Sequence, residues 1–244
     1  MLYGKCIAKE PRSIIVIDTP GCSWRKCSFC AVHQQTVDED TALLQVKTAF
    51  DLIPRDEKIL QIVTSASYSD YPVSVQDLIL RSVQNLRPDT VILEQRWGLR
   101  DLTLDVSAKF NEIGVSVEWI VGLEALARED RRYLGKEDYD ADIPVLRRYF
   151  KRVNLLFGYD GKGAKSLCTL THEMNVLLPL FNVVSINIYE SALDSILKRD
   201  NGLVEDFYNS PQFLEWKINP KVHIFDTDFR AESDFGGIDT LARA

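Results

Sequence analysis

Short runs rich in β-branched residues recur along this chain, and stretches of helical periodicity separate most of them. SIIVID at Ser13–Asp18 and ILQIVT at Ile59–Thr64 are continuous apolar runs, as expected of strands covered on both faces. Val91–Glu94, Val115–Val121, Asn154–Phe157 and Val183–Tyr189 read as four more strands, with Val222–Phe225 as a short seventh. The intervening helices are expected at Asp40–Ile53, stopped by Pro54, and from an N-cap at Ser74 to Leu86. Three more are expected at Leu102–Ile113 before Gly114, at Ile143–Val153 with Pro144 in its first turn, and at Lys165–Leu180. Strands alternating with helices predict a parallel sheet with right-handed crossovers. Such repeats are too few here for a closed eight-stranded barrel. The expected architecture is therefore α/β, a partial (β/α)6 barrel of parallel strands. The 244 residues accommodate it as one domain over 1–244, with its core at 13–190. The less regular stretch 201–244, with Gly236 and Gly237 near its end, reads as a lid or cap.

Parallel α/β folds bind ligands outside the carboxyl ends of their strands, so the residues just after each strand carry the most information. After the first strand stands TPGCSWRKCSFC, with Cys22, Cys27 and Cys30 in a Cys-x4-Cys-x2-Cys spacing. Three of the five cysteines thus fall within nine residues, which is metal or redox spacing rather than a secreted disulfide framework. Three thiolates can hold three irons of a cubane cluster and leave the fourth iron open, whereas such clusters usually take four cysteines. His33 makes the same loop a Cys3His set, which suits structural zinc. A position after the first parallel strand favours the cluster. Cys6 and Cys168 are isolated and read as packing residues.

The formal net charge of -7 does not suit a surface built for phosphate backbones, although Arg147, Arg148, Lys151 and Arg152 form a short basic stripe. A small-molecule substrate fits the charge better, and nucleic acid is not an expected partner. No apolar run reaches membrane-spanning length and the first residues have no export signal, so a cytoplasmic location is expected.

The cysteine loop resembles the signature of the radical S-adenosylmethionine (SAM) superfamily. That superfamily usually spaces its cysteines Cys-x3-Cys-x2-Cys, and the extra residue together with GCSWRKCSFC is similar to the subgroup of the archaeosine synthase radical subunit and queuine lyase-like proteins. TSAS at Thr64–Ser67, Glu94-Gln95-Arg96 and IVGLE at Ile120–Glu124 resemble, in order, that group's motifs after the second and third strands and in the fourth. The resemblance implies a 4Fe-4S cluster on Cys22, Cys27 and Cys30, and SAM held by Phe29, Ser65, Ser67, Glu94 and Arg96. It implies cleavage of SAM to a 5′-deoxyadenosyl radical with electrons from a donor such as flavodoxin or ferredoxin. By analogy within the subgroup, the substrate is a free 7-deazaguanine base such as queuine, and the reaction a carbon–nitrogen bond cleavage in queuosine salvage. A guanine-like edge presents adjacent N–H donors to a carboxylate, which nominates Asp226 and Asp228. Tyr68, Trp97 and Phe229 are aromatics able to stack on a flat base. Glu124 also reads as a helix-start carboxylate. The alternatives are a radical enzyme acting on tRNA or a peptide, and a non-enzymatic zinc module.

Overall fold

The computed structural model describes residues 2–6, 9–30, 36–64, 66–136, 142–161, 163–191 and 195–226. The chain divides into two compact units, Met1–Arg25 with Val32–Ile120, and Lys26–Ala31 with Val121–Asp234.

The first unit contains β1 (Leu2–Cys6), β2 (Arg12–Ile17), α1 (Glu39–Asp51), β3 (Ile59–Thr64), α2 (Val73–Leu86), β4 (Thr90–Glu94), α3 (Leu102–Glu112) and the start of β5 (Ser116–Glu124). β2, β3, β4 and β5 pair in parallel and in that order, with Ile15 opposite Ile62, Ile62 opposite Leu93, and Leu93 opposite Trp119. Val91, Ile92 and Leu93 are all fully buried, so this strand is covered on both faces, as its unalternating sequence requires. β1 was not expected. It runs antiparallel to β2, with Tyr3 opposite Ile15, and it buries Cys6. Asp38 caps α1 by accepting from the Thr41 N–H at 2.8 Å. α2 starts one residue before the expected cap. Pro72 stands at its N-cap and Ser74, inside the helix, donates instead to Glu39.

The second unit holds the end of β5, then α4 (Arg128–Tyr133), α5 (Ile143–Tyr149), β6 (Arg152–Phe157), α6 (Leu167–Leu177), β7 (Val183–Ile188), α7 (Asn201–Tyr208), α8 (Pro211–Ile218) and β8 (Val222–Phe225). β6, β7 and β8 pair in parallel, so the short seventh strand is a full member of the alternation. The stretch expected to be irregular after residue 201 forms two capped helices. Asp200 accepts from Leu203 N–H at 3.0 Å and Ser210 from Phe213 N–H at 3.1 Å. Pro211 occupies the first turn of α8, where its missing N–H costs nothing. These helices bury Phe207, Phe213 and Trp216 at 5% exposure or less, and the Phe207 ring lies 5.5 Å from that of Phe157 on β6. Cys168 corrects its expected role: it lies exposed on α6 rather than packed. No helix among the described residues is long and apolar enough to cross a membrane.

Candidate active site

In the first unit β2, β3 and β4 run parallel, so Ile17, Thr64 and Glu94 end on one edge of the sheet. The loops that follow are tied together there by side chains. Arg96 donates from its guanidinium to Ser23 Oγ at 2.9 Å and from its backbone N–H to Ser67 Oγ at 3.0 Å. Ser23 in turn donates to the Asp70 carboxylate at 2.5 Å, and the Ser67 N–H donates to the other oxygen of Asp70 at 3.2 Å. A cation and a carboxylate are thus bridged by the hydroxyl of the residue next to Cys22. Behind them Gln95, only 2% exposed, donates to Ser69 Oγ at 2.6 Å and to Leu99 O at 3.0 Å, and accepts from Ser69 N–H at 3.2 Å. Arg25 folds back to donate to the Cys22 carbonyl at 2.9 Å.

Of the expected residues, this edge brings together Ser67 and Arg96, with Glu94 closing β4. Ser23, Asp70 and Gln95 were not singled out from the sequence. Ser67-x-x-Asp70 has turn spacing, and Ser23 adjoins a cysteine, so both carried a signal. Gln95 lay hidden between the charged residues of Glu94-Gln95-Arg96. Tyr68 requires correction as a stacking residue. It is 2% exposed, its ring is surrounded edge-on by Tyr71, Phe110 and Trp119 at 6.0–6.3 Å, and burial pushes its phenol well above the ordinary range. Trp97 is half-buried on a short 3-10 turn, and the Arg100 guanidinium covers its ring at 4.4 Å.

Cys22 belongs to the first unit, and Cys27 and Cys30 to the second. Each has intermediate exposure and takes part in no disulfide, and thiolates suit iron or zinc. Among the described residues, no three His, Cys, Asp or Glu side chains form a preassembled metal site. In the second unit Cys27 and Cys30 flank a tight turn, with Cys30 N–H donating to Cys27 O at 3.3 Å. Phe29, between them, packs against a buried cluster of Leu134, Leu156, Tyr159, Tyr189 and Leu197. Lys136 Nζ stands 5.8 Å from the centre of the Phe29 ring and 3.3 Å from the Glu124 carboxylate.

Glu124 ends β5 with a left-handed φ of 65°, and the following turn is held by buried cations. Lys165 donates to the Glu124 carbonyl and, at 2.7 Å, to Glu173. Glu173 also accepts from Leu126 N–H at 2.7 Å, and Arg131 donates to Ala125 O at 2.8 Å. Burial lowers the Lys165 pKa, against the opposing pull of Glu173 and Glu124. Glu124 therefore serves at a strand-end turn, not at a helix start.

Asp226 follows β8 as expected, yet its carboxylate is fully buried and takes both Arg199 nitrogens, at 2.9 and 2.8 Å, and the Tyr208 hydroxyl at 2.7 Å. That bidentate bond raises the Arg199 pKa. A carboxylate so committed is a structural anchor rather than a receptor for a base edge. Ser65, Asp228, Phe229 and His33 lie outside the described residues.

No family model matches this sequence, and no curated protein is a detectable relative. Among solved structures, the fold is similar to that of queuine lyase from Clostridium spiroforme bound to SAM and queuine, with a TM-score of 0.84 and 20% identity. The match covers 96% of this chain and 97% of that one, so the two proteins share a fold over nearly their whole lengths.

Proposed function

We propose that this chain is a radical SAM enzyme, a carbon–nitrogen lyase acting on a free 7-deazaguanine base such as queuine, built as a partial barrel of parallel strands. The observation that carries the reading is the Ser23–Asp70–Arg96–Ser67 network, set beside Cys22 at the carboxyl edge of β2, β3 and β4. The methionine part of SAM is a zwitterion, and this edge offers a guanidinium, a carboxylate and two hydroxyls to hold one. The queuine lyase whose fold this chain shares binds SAM and queuine, which supports the same pair of ligands here.

Cys22, Cys27 and Cys30 would hold the cluster, each as a thiolate. When bound and reduced, the cluster and SAM supply a 5′-deoxyadenosyl radical. Ser67, Glu94 and Arg96 orient SAM, and Phe29 presents the exposed part of its ring to the adenine. Trp97 follows β4, and the part of its ring that Arg100 does not cover gives a flat surface to the base. Ser65 and Asp228 complete the proposed contacts to SAM and to the base. The protein's task is to hold the reacting atoms close and exclude water. Electrons come from a flavodoxin- or ferredoxin-type donor.

The test is anaerobic reconstitution with iron and sulfide, followed by reductant, SAM and queuine. The expected result is a brown protein that forms 5′-deoxyadenosine and an aminomethyl-deazaguanine, with both products lost in Cys27→Ala. A colourless chain holding one zinc refutes the radical reading. Cleavage of SAM that queuine neither stimulates nor consumes refutes the substrate, and salt-dependent binding of tRNA would redirect it.

A further inference from the structure

Ser28 stands between two of the three cysteines, and every polar group it has is engaged by the second unit. Its N–H donates to Leu134 O at 3.0 Å, and its hydroxyl makes a longer contact to Tyr133 O at 3.4 Å. Its carbonyl accepts from Ser195 Oγ at 2.9 Å. Ser195 is itself fixed from behind, accepting from the Tyr189 hydroxyl at 2.6 Å and from Leu197 N–H at 3.1 Å. Tyr189 is 3% exposed and belongs to the apolar cluster against which Phe29 packs. On the other side of the turn Gly135 adopts a φ of +66°, and a Cβ built on it would lie 2.0 Å from Lys26 O and 3.3 Å from Ser28 N. Both neighbours are backbone, so no side chain could swing away to make room. Two sequence-distant segments therefore grip one residue of the turn that carries Cys27 and Cys30.

We propose that Ser195, with Tyr189 behind it, and Gly135 are positioning residues that fix the Cys27–Cys30 turn in the geometry in which its thiolates retain a cluster. This rests on the reading that these thiolates are cluster ligands. Groups that orient metal ligands without touching the metal commonly control affinity by one to two orders of magnitude, and hydrogen bonds near a cluster tune its potential.

The experiment compares the reconstituted full chain with Ser195→Ala, Ser195→Thr and Gly135→Ala. Three readouts are taken: the rate of iron loss to a chelator, the electron paramagnetic resonance spectrum of the reduced cluster, and its midpoint potential. Ser195→Ala and Gly135→Ala are expected to lose iron about tenfold faster, with altered spectra, and Ser195→Thr to restore the wild-type rate. Ser166→Ala, which removes the cap of α6 in the same unit, controls for general destabilisation and should leave the spectrum unchanged. A wild-type chain that holds a cluster, beside a folded Ser195→Ala chain with the same iron-loss rate, spectrum and potential, overturns the positioning role alone. A wild-type chain that takes up no cluster overturns the proposed function, and this inference with it.

Discussion

Replacing Lys165 by Met should be among the most destabilising single changes in the second unit. The Lys165 side chain is 0% exposed and that of Glu173 2%. The ammonium serves both the Glu173 carboxylate, at 2.7 Å, and the carbonyl of Glu124, whose left-handed backbone turns that carbonyl inward. Met has similar length and no donor. It leaves a buried carboxylate with the Leu126 N–H as its remaining partner in this cluster, together with a carbonyl that has lost an ammonium donor. Removing one partner of a buried pair costs about 3–5 kcal/mol. At this chain length that corresponds to a fall in Tm of about 10 °C. The double variant Lys165→Met, Glu173→Leu removes both charges and should recover most of the loss, because burial already outweighs the attraction of the carboxylates in its effect on Lys165. Urea denaturation of the four proteins in the cycle, followed by circular dichroism, measures the coupling directly. A loss below about 1 kcal/mol in the single variant, or an additive double variant, would refute the argument that an uncompensated charge dominates.

Three other outcomes are expected. Arg96→Met removes a charged donor to Ser23 and should weaken SAM binding to the reconstituted protein about ten- to a hundredfold by calorimetry, with iron content unchanged; equal affinity would remove Arg96 from the site. Asp226→Asn breaks the bidentate bond to Arg199 and should lower stability by about 3 kcal/mol without any ligand present; a loss seen only as weaker substrate binding would restore Asp226 to the substrate site. Tyr68, Tyr71 and Tyr159 all have phenols raised above their ordinary value of 10.0, chiefly by burial. The unfolded chain deprotonates these groups at lower pH than the folded one, so their contribution is complete below pH 10 and lost as pH climbs above it. In an absorbance titration the three should stay silent until the protein unfolds, and early ionisation of all nine tyrosines would contradict their burial.

The alternation of strands and helices was legible in the sequence because each element announces itself locally. β3 occupies Ile59–Thr64 as read, and the apolar runs of β2 and β4 are buried along most of their length. β1 was not legible, because LYGKC has no distinctive period and becomes a strand only by pairing with β2. α7 and α8 are eight residues each, too short for periodicity to outweigh Gly202 and Pro211. The site followed the same division. The cysteines, Ser67 and Arg96 could be nominated by spacing and order, and Asp70 shared a turn spacing with Ser67, whereas the burial and bonding of Gln95 emerged only when parallel pairing brought the ends of β3 and β4 side by side.

By itself the sequence determined the thiol-bearing loop after an early strand, and the polar residues that end the next two strands, because residue identity and strand period are local properties. The tertiary structure decided what each side chain faces. It turned Tyr68 into the core, joined Asp226 to Arg199, and closed Ser195 and Gly135 on the residue between two cysteines. Those choices depend on atoms tens of residues apart along the chain, and packing, with the satisfaction of buried polar groups, selects among them.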